Sequence, residues 1–138
     1  VNKKILEAKK MSCFTEVKCE SITDIECLKK ALGRMGVTTR QNDRVRGLRR
    51  SVTADLVAEM KDRNDVGFVK DKNGYKIVAD SDAFYRTGGK DKWIGQVKQN
   101  YLLFHNKKTL RRMGHSDIHQ STLTNGTIRL QVNVHTGW

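Results

Sequence analysis

Apolar and polar side chains alternate from Cys13 to Cys19, with Cys13, Thr15, Val17 and Cys19 on one side and Glu16, Lys18 and Glu20 on the other. A period of two residues predicts a half-buried strand. The period then changes. Ile25, Leu28, Leu32 and Met35 recur at three- and four-residue steps and draw one apolar stripe on a helix. Thr23-Asp24-Ile25-Glu26 reads as a capping box, Thr23 and Glu26 covering each other's unpaired amides, with Ile22 stapled onto Cys27. Glu26 and Lys30 are spaced to pair one turn apart, and Gly36 supplies the left-handed stop.

Val37 to Arg50 carries little periodicity and predicts a short strand leading into a long loop. From Val52 the alternation returns. Val52, Ala54, Leu56, Ala58 and Met60 face one way, and Thr53, Asp55, Val57 and Glu59 the other, which favours a strand. Leu56, Val57 and Met60 also fit a short helical face. Val66–Val69 and Tyr75–Ala79 flank Asn73-Gly74, a pair suited to a tight hairpin turn. Both arms are apolar on both faces, so they belong in the middle of a sheet.

After the polar stretch from Asp80 to Gly89, Trp93, Ile94, Val97, Tyr101 and Phe104 share one arc of a helix over Lys90 to Arg112. Leu110 and Met113 fall off that arc, which predicts a bend or break between His105 and Lys108, and Gly114 ends the helix. A second hairpin turns at Thr124-Asn125-Gly126-Thr127. Its return strand alternates Ile128, Leu130, Val132 and Val134 with polar residues.

The order strand, helix, strands, helix, strands predicts a single α+β domain over 11–138, a mainly antiparallel sheet with two helices packed on one face. Residues 1–10 read as a basic extension without the apolar core of a secretory signal. No apolar run is long enough to span a membrane, and no membrane partner is expected. With no proline in 138 residues, turns rest on Gly, Asn and Asp. Cys13, Cys19 and Cys27 are odd in number and lack a CxxC spacing, which points to free thiols in a reducing compartment.

Charge changes the picture most. Basic residues number 27 against 15 acidic, a net +12. Such an excess repels itself, and a polyanion relieves that repulsion. The cations also cluster. Between Lys29 and Arg50 eight basic residues, among them Arg40, Arg44, Arg46, Arg49 and Arg50, face only Asp43. Guanidinium forks match phosphate oxygens, and Gly47 allows close backbone approach. The plain alternative is a solvated loop packed on its own chain's carboxylates. Between Lys90 and Arg112 seven basic residues face only Asp91, with Lys107, Lys108, Arg111 and Arg112 in little more than one turn. Part of that cluster answers the helix dipole.

Several segments together resemble the hypothetical chloroplast reading frame thirty-five family, also called domain of unknown function twelve-fifty-seven, whose members occur in cyanobacteria, algal plastids, other bacteria and phages. The resemblance rests on Met11 to Thr15, Asp24 to Leu32, Val45 to Arg49, Ala54 to Val57, Val66-Gly67-Phe68, Asn73-Gly74-Tyr75 with Val78-Ala79-Asp80, and Asn125 to Leu130. It brings no established enzymatic activity to carry over, and it implies an adaptor role beside an AAA-type ATPase and a place in the cytoplasm, plastid stroma or infected host cytoplasm. The chain departs from the family where Cys13 replaces a usual His and Ala83-Phe84-Tyr85 replaces a tryptophan-bearing stretch.

Other chemistry finds thinner support. His115 and His119 with Asp117 would suit a metal only on a helix, and a strand pattern begins near Ile118. Asp80 and Asp82 are also ordinary turn and cap residues. Thr87-Gly88-Gly89-Lys90 lacks the full phosphate-loop pattern. The expectation is a non-enzymatic module, without metal or cofactor, that contacts RNA or DNA phosphates through Arg40, Arg44, Arg46, Arg49, Arg50, Lys107, Lys108, Arg111 and Arg112. The alternative is an adaptor whose basic face docks on an acidic protein.

Overall fold

The computed structural model describes residues 14–19 and 21–132. The expectations for the 1–10 extension, Cys13 and Val134 lie outside these residues. Five strands form one antiparallel sheet: β1 (Phe14–Cys19), β2 (Thr39–Arg44), β3 (Thr53–Ala58), β4 (Val66–Asp71) and β5 (Gly74–Asp80). Their order is β1-β5-β4-β3-β2, which puts the two doubly apolar strands, β4 and β5, inside the sheet. Helix α1 (Ile25–Arg34) connects β1 to the far edge, and α2 (Lys90–Arg112) follows β5. The hairpin of β6 (Ile118–Thr122) and β7 (Ile128–Val132) is a separate two-stranded sheet. This is the α+β architecture the hydrophobic pattern implies.

The helices bury their stripes on one face of the sheet. Leu28, Ala31 and Leu32 of α1 and Trp93, Ile94, Val97 and Tyr101 of α2 join Leu56, Ala58, Phe68, Ile77 and Ala79 in the main core. Tyr101 also ties the helices together, because its hydroxyl accepts from the amides of Thr23 and Asp24 at 3.1 and 3.0 Å. The helices run antiparallel, with Lys108 bonded to Asp24 at one end and Arg34 Nη1 to Asn100 Oδ1 at the other, 2.6 Å.

A smaller apolar cluster lies on the opposite face: Val45, Ala54, Val57 and Val78, with Leu48, Val52 and Val69 against it. The segment after β2 therefore folds back over the sheet. It can do so because Gly67 has no side chain; a Cβ there would meet Val45 Cγ2 at 2.5 Å.

Several expectations change. The helix cap is Asp24, not Thr23, and its carboxylate accepts from the amides of Glu26 and Cys27. The capping pattern is thus shifted by one residue, and the Tyr101 hydroxyl, not Glu26, takes the Thr23 amide. Glu26 pairs with Lys29, at 3.9 Å, in place of the expected Lys30. The short strand expected within Val37–Arg50 is β2, which takes Arg40 and Arg44 out of the loop by zipping onto β3 from Thr39 opposite Ala58 to Arg44 opposite Thr53. Within β3 the strict alternation fails: Leu56 and Ala58 enter the main core, while Ala54 and Val57 both enter the smaller one. Across the ladder, Asn42 adopts a left-handed φ of 49°. The first hairpin turns through Lys72-Asn73, with Gly74 already paired to Asp71. Finally, α2 is continuous for 23 residues. No break is needed, because Leu110 stays half-buried and Met113, 67% exposed, simply leaves the core.

Candidate nucleic-acid interface

The nine candidate cations separate into two places and two roles. Arg40 and Arg46 turn inward, on the face of the sheet away from the helices. Both reach Asp65, whose side chain is fully buried. Asp65 Oδ2 accepts from Arg40 Nη2 at 2.9 Å, from Arg46 Nε at 2.9 Å and from the Arg46 amide at 3.0 Å; Oδ1 accepts from Arg46 Nη2 at 3.0 Å. Arg40 also binds Glu59 at 2.8 Å and Asp43 at 2.9 Å. Burial pushes the Asp65 carboxyl up, but the hydrogen bonds from Arg46 and Arg40 outweigh it and leave the group below its ordinary value. One buried carboxylate thus holds two arginines, and with them the chain from β2 to β4. These guanidiniums are structural clamps.

Gly47 belongs to the same device. Its φ is 94°, and a Cβ there would meet Asn64 Oδ1 at 2.5 Å. Its freedom serves packing against the residue before Asp65. Arg44, Arg49 and Arg50, by contrast, are exposed.

The second region is the C-terminal end of α2. Lys108 is taken by Asp24, the cap of α1. The Lys108 ammonium is the main reason the Asp24 carboxyl falls to about 2, helped by the Cys27 and Glu26 amides against the opposing effect of burial. Lys107 lies over the Phe104 ring, 5.7 Å from its centroid. Arg111 and Arg112 are exposed in the last turn, and neither forms an ion pair among the described residues. This end of α2 packs against α1 on the helix side of the sheet, whereas Arg40 and Arg46 are held at Asp65. Among the described residues, Arg40, Arg46 and Lys108 are seen held by the chain's own carboxylates.

The other constellations settle into local roles. Asp80 accepts from the Asp82 amide at 2.9 Å and caps a short 3-10 turn, Ser81–Phe84. His119 lies 3.3 Å from Asp117 at the start of β6. Among the described residues no three His, Cys, Asp or Glu side chains gather as a metal site. Cys19 and Cys27 are free and buried, and burial pushes both thiols up, away from nucleophilic thiolate. Among the described residues no helix is long and apolar enough to cross a membrane.

These features define a small basic α+β domain with clamped arginines inside and open cations at a helix end. The chain belongs to the family described as "Protein of unknown function (DUF1257)", whose model matches residues 31–131. It is similar to the uncharacterized protein ycf35 of Cyanophora paradoxa, 29% identical over 93 residues, covering 66% of this chain and 72% of that protein. It is also similar to the uncharacterized protein ycf35 of Guillardia theta, 25% identical over 122 residues, covering 87% of this chain and 94% of that protein. No solved structure matches the chain.

Proposed function

We propose that this protein is a non-enzymatic module that binds nucleic-acid phosphates through the end of α2, with Arg111 and Arg112 as the principal contacts. Lys107, and the exposed Arg44 and Arg49, add to the attraction. One observation carries the reading: Asp24, the carboxylate that reaches this helix end, is already occupied by Lys108. Arg111 and Arg112 consequently keep their charge open to solvent in a chain of net +12. Arginine at such a site can fork onto phosphate oxygens.

The test is fluorescence anisotropy with a labelled single-stranded RNA and a duplex DNA over a range of salt. Affinity should fall steeply with salt, and each arginine replaced by alanine should reduce the logarithmic slope by about 0.7 for a single strand. No binding at low salt, or binding indifferent to salt, overturns the reading.

Met113 supports a second reading. It is 67% exposed directly after Arg112. An apolar anchor beside open guanidiniums also suits an acidic protein surface. Co-purification after nuclease treatment separates the two, since a protein partner persists once nucleic acid is destroyed.

A further inference from the structure

Away from both basic regions, the C-terminal end of α1, the end of β3, the short turn after β5 and the first half of α2 enclose a cleft of about 530 Å³. That volume is in the range of small-ligand sites. We propose that this cleft binds a planar heteroaromatic base bearing N–H donors, with guanine as the best match among nucleobases.

The apolar part of the cleft is suited to a flat ring. Met35, Met60 and Trp93 contribute to it, and thioether sulfur and indole both favour contact with aromatic faces. Trp93 adds a further signal. It is 3% exposed, yet among the described residues its indole N–H has no hydrogen-bond acceptor. Buried indole N–H groups normally find a partner. A ring nitrogen or exocyclic oxygen of a bound base would supply one.

The polar part offers hydrogen-bond acceptors beside two cations, Arg86 and the exposed Lys61. Arg86, the lining guanidinium, is held by Asp62 at 3.1 Å, and Glu59 is held by Arg40. Asp82 has no ion pair among the described residues and is exposed to the cleft. Its two oxygens can each accept a hydrogen bond, and guanine offers two adjacent N–H donors on one edge. Gln96 and Gln99 supply amides able to donate and accept, while Asn100 is fixed between Arg34 and the Gln96 carbonyl. Asp62, at the edge of the cleft, and its neighbour Arg63 both hold left-handed φ values, 61° and 58°. Two consecutive non-glycine residues in that region are strained, and such strain gathers at ligand sites.

The inference stands apart from the phosphate reading, because it concerns a free base and a different part of the molecule. Calorimetric titration of the full chain with guanosine, adenosine, cytidine and uridine tests it. Guanosine should bind in saturable fashion, uridine least, and affinity should be nearly the same at low and high salt. Asp82→Asn and Gln96→Ala, both at exposed positions, should leave the melting temperature unchanged and each weaken guanosine about tenfold. Trp93→Phe, which removes the N–H, should weaken it as well. Absence of saturable binding for all four nucleosides overturns the proposal, as does guanosine binding that survives both Asp82→Asn and Gln96→Ala. Arg111→Ala should leave guanosine untouched, so failure of one reading is distinguishable from failure of the other.

Discussion

The arginine segment around β2 and the last turns of α2 look alike as strings of letters, yet they meet opposite fates. Around β2, a fully buried Asp65 collects Arg40 and Arg46, and the charge is spent on fastening β2, the folded-back segment and the start of β4. At the end of α2 one carboxylate, Asp24, is answered by one cation, Lys108, and Arg111 and Arg112 are left over. Local charge density thus says little about availability. What matters is whether a carboxylate from elsewhere in the chain is brought within reach.

The comparison is most easily broken at Asp65. Asp65→Ala leaves two guanidiniums facing an emptied buried site, and loss of one partner of a buried pair costs about 3–5 kcal/mol. Urea denaturation should show this as a large fall in midpoint. If the loss is only that of an exposed ion pair, the clamp is not structural. Gly67→Ala comes next. The new methyl collides with Val45, Ala54 and Val78, at 2.5, 3.0 and 3.1 Å from the added carbon. Overpacking of this kind costs about 1–3 kcal/mol, again read by denaturation. Hydrogen exchange should rise first at Val45 and Val52, whose backbones are joined at 2.9 Å.

Asp24→Ala removes both the α1 cap and the partner of Lys108, and should cost about 1 kcal/mol. The pair also has a pH signature. Its folded carboxyl titrates at about 2, below the unfolded value of about 4. Its contribution is therefore complete above about pH 5 and is lost as pH falls from there through the folded value. The melting-temperature difference between wild type and Lys108→Met should be present at neutral pH and vanish under strong acid. The smallest effect on stability is expected for Arg111→Ala with Arg112→Ala, within about 0.5 kcal/mol in either direction. The same double variant should produce the largest loss of nucleic-acid binding, which is the sharpest form of the contrast.

Much of the architecture was legible because local patterns carried it. The stripe of Ile25, Leu28 and Leu32, the arc of Trp93, Val97 and Tyr101, and the doubly apolar arms of β4 and β5 each followed from spacing alone. The misreadings have physical causes. The cap lies at Asp24, one residue on from Thr23, where one carboxylate oxygen takes the Glu26 and Cys27 amides and the other takes Lys108, 84 residues away. The short strand expected ahead of the loop is β2, which forms although its residues are polar because it lies at a sheet edge, where pairing with β3 supplies the backbone bonds and little burial is needed. The break expected in α2 came from assuming that every apolar residue must join the core, whereas Met113 does not. The cleft gave no signal, since Met35, Met60, Asp82 and Gln96 come from four separate parts of the chain.

By itself the sequence determined the periods, and the periods determined the elements: two helices, two hairpins and an antiparallel sheet, in a chain with a large cationic excess. Only the tertiary structure decided which cations remain available. Hydrophobic burial acts along a face and can be read at spacings of two, three or four residues. Ion pairs such as Arg46 with Asp65 or Lys108 with Asp24 join residues 19 and 84 positions apart. They exist only after the faces have packed.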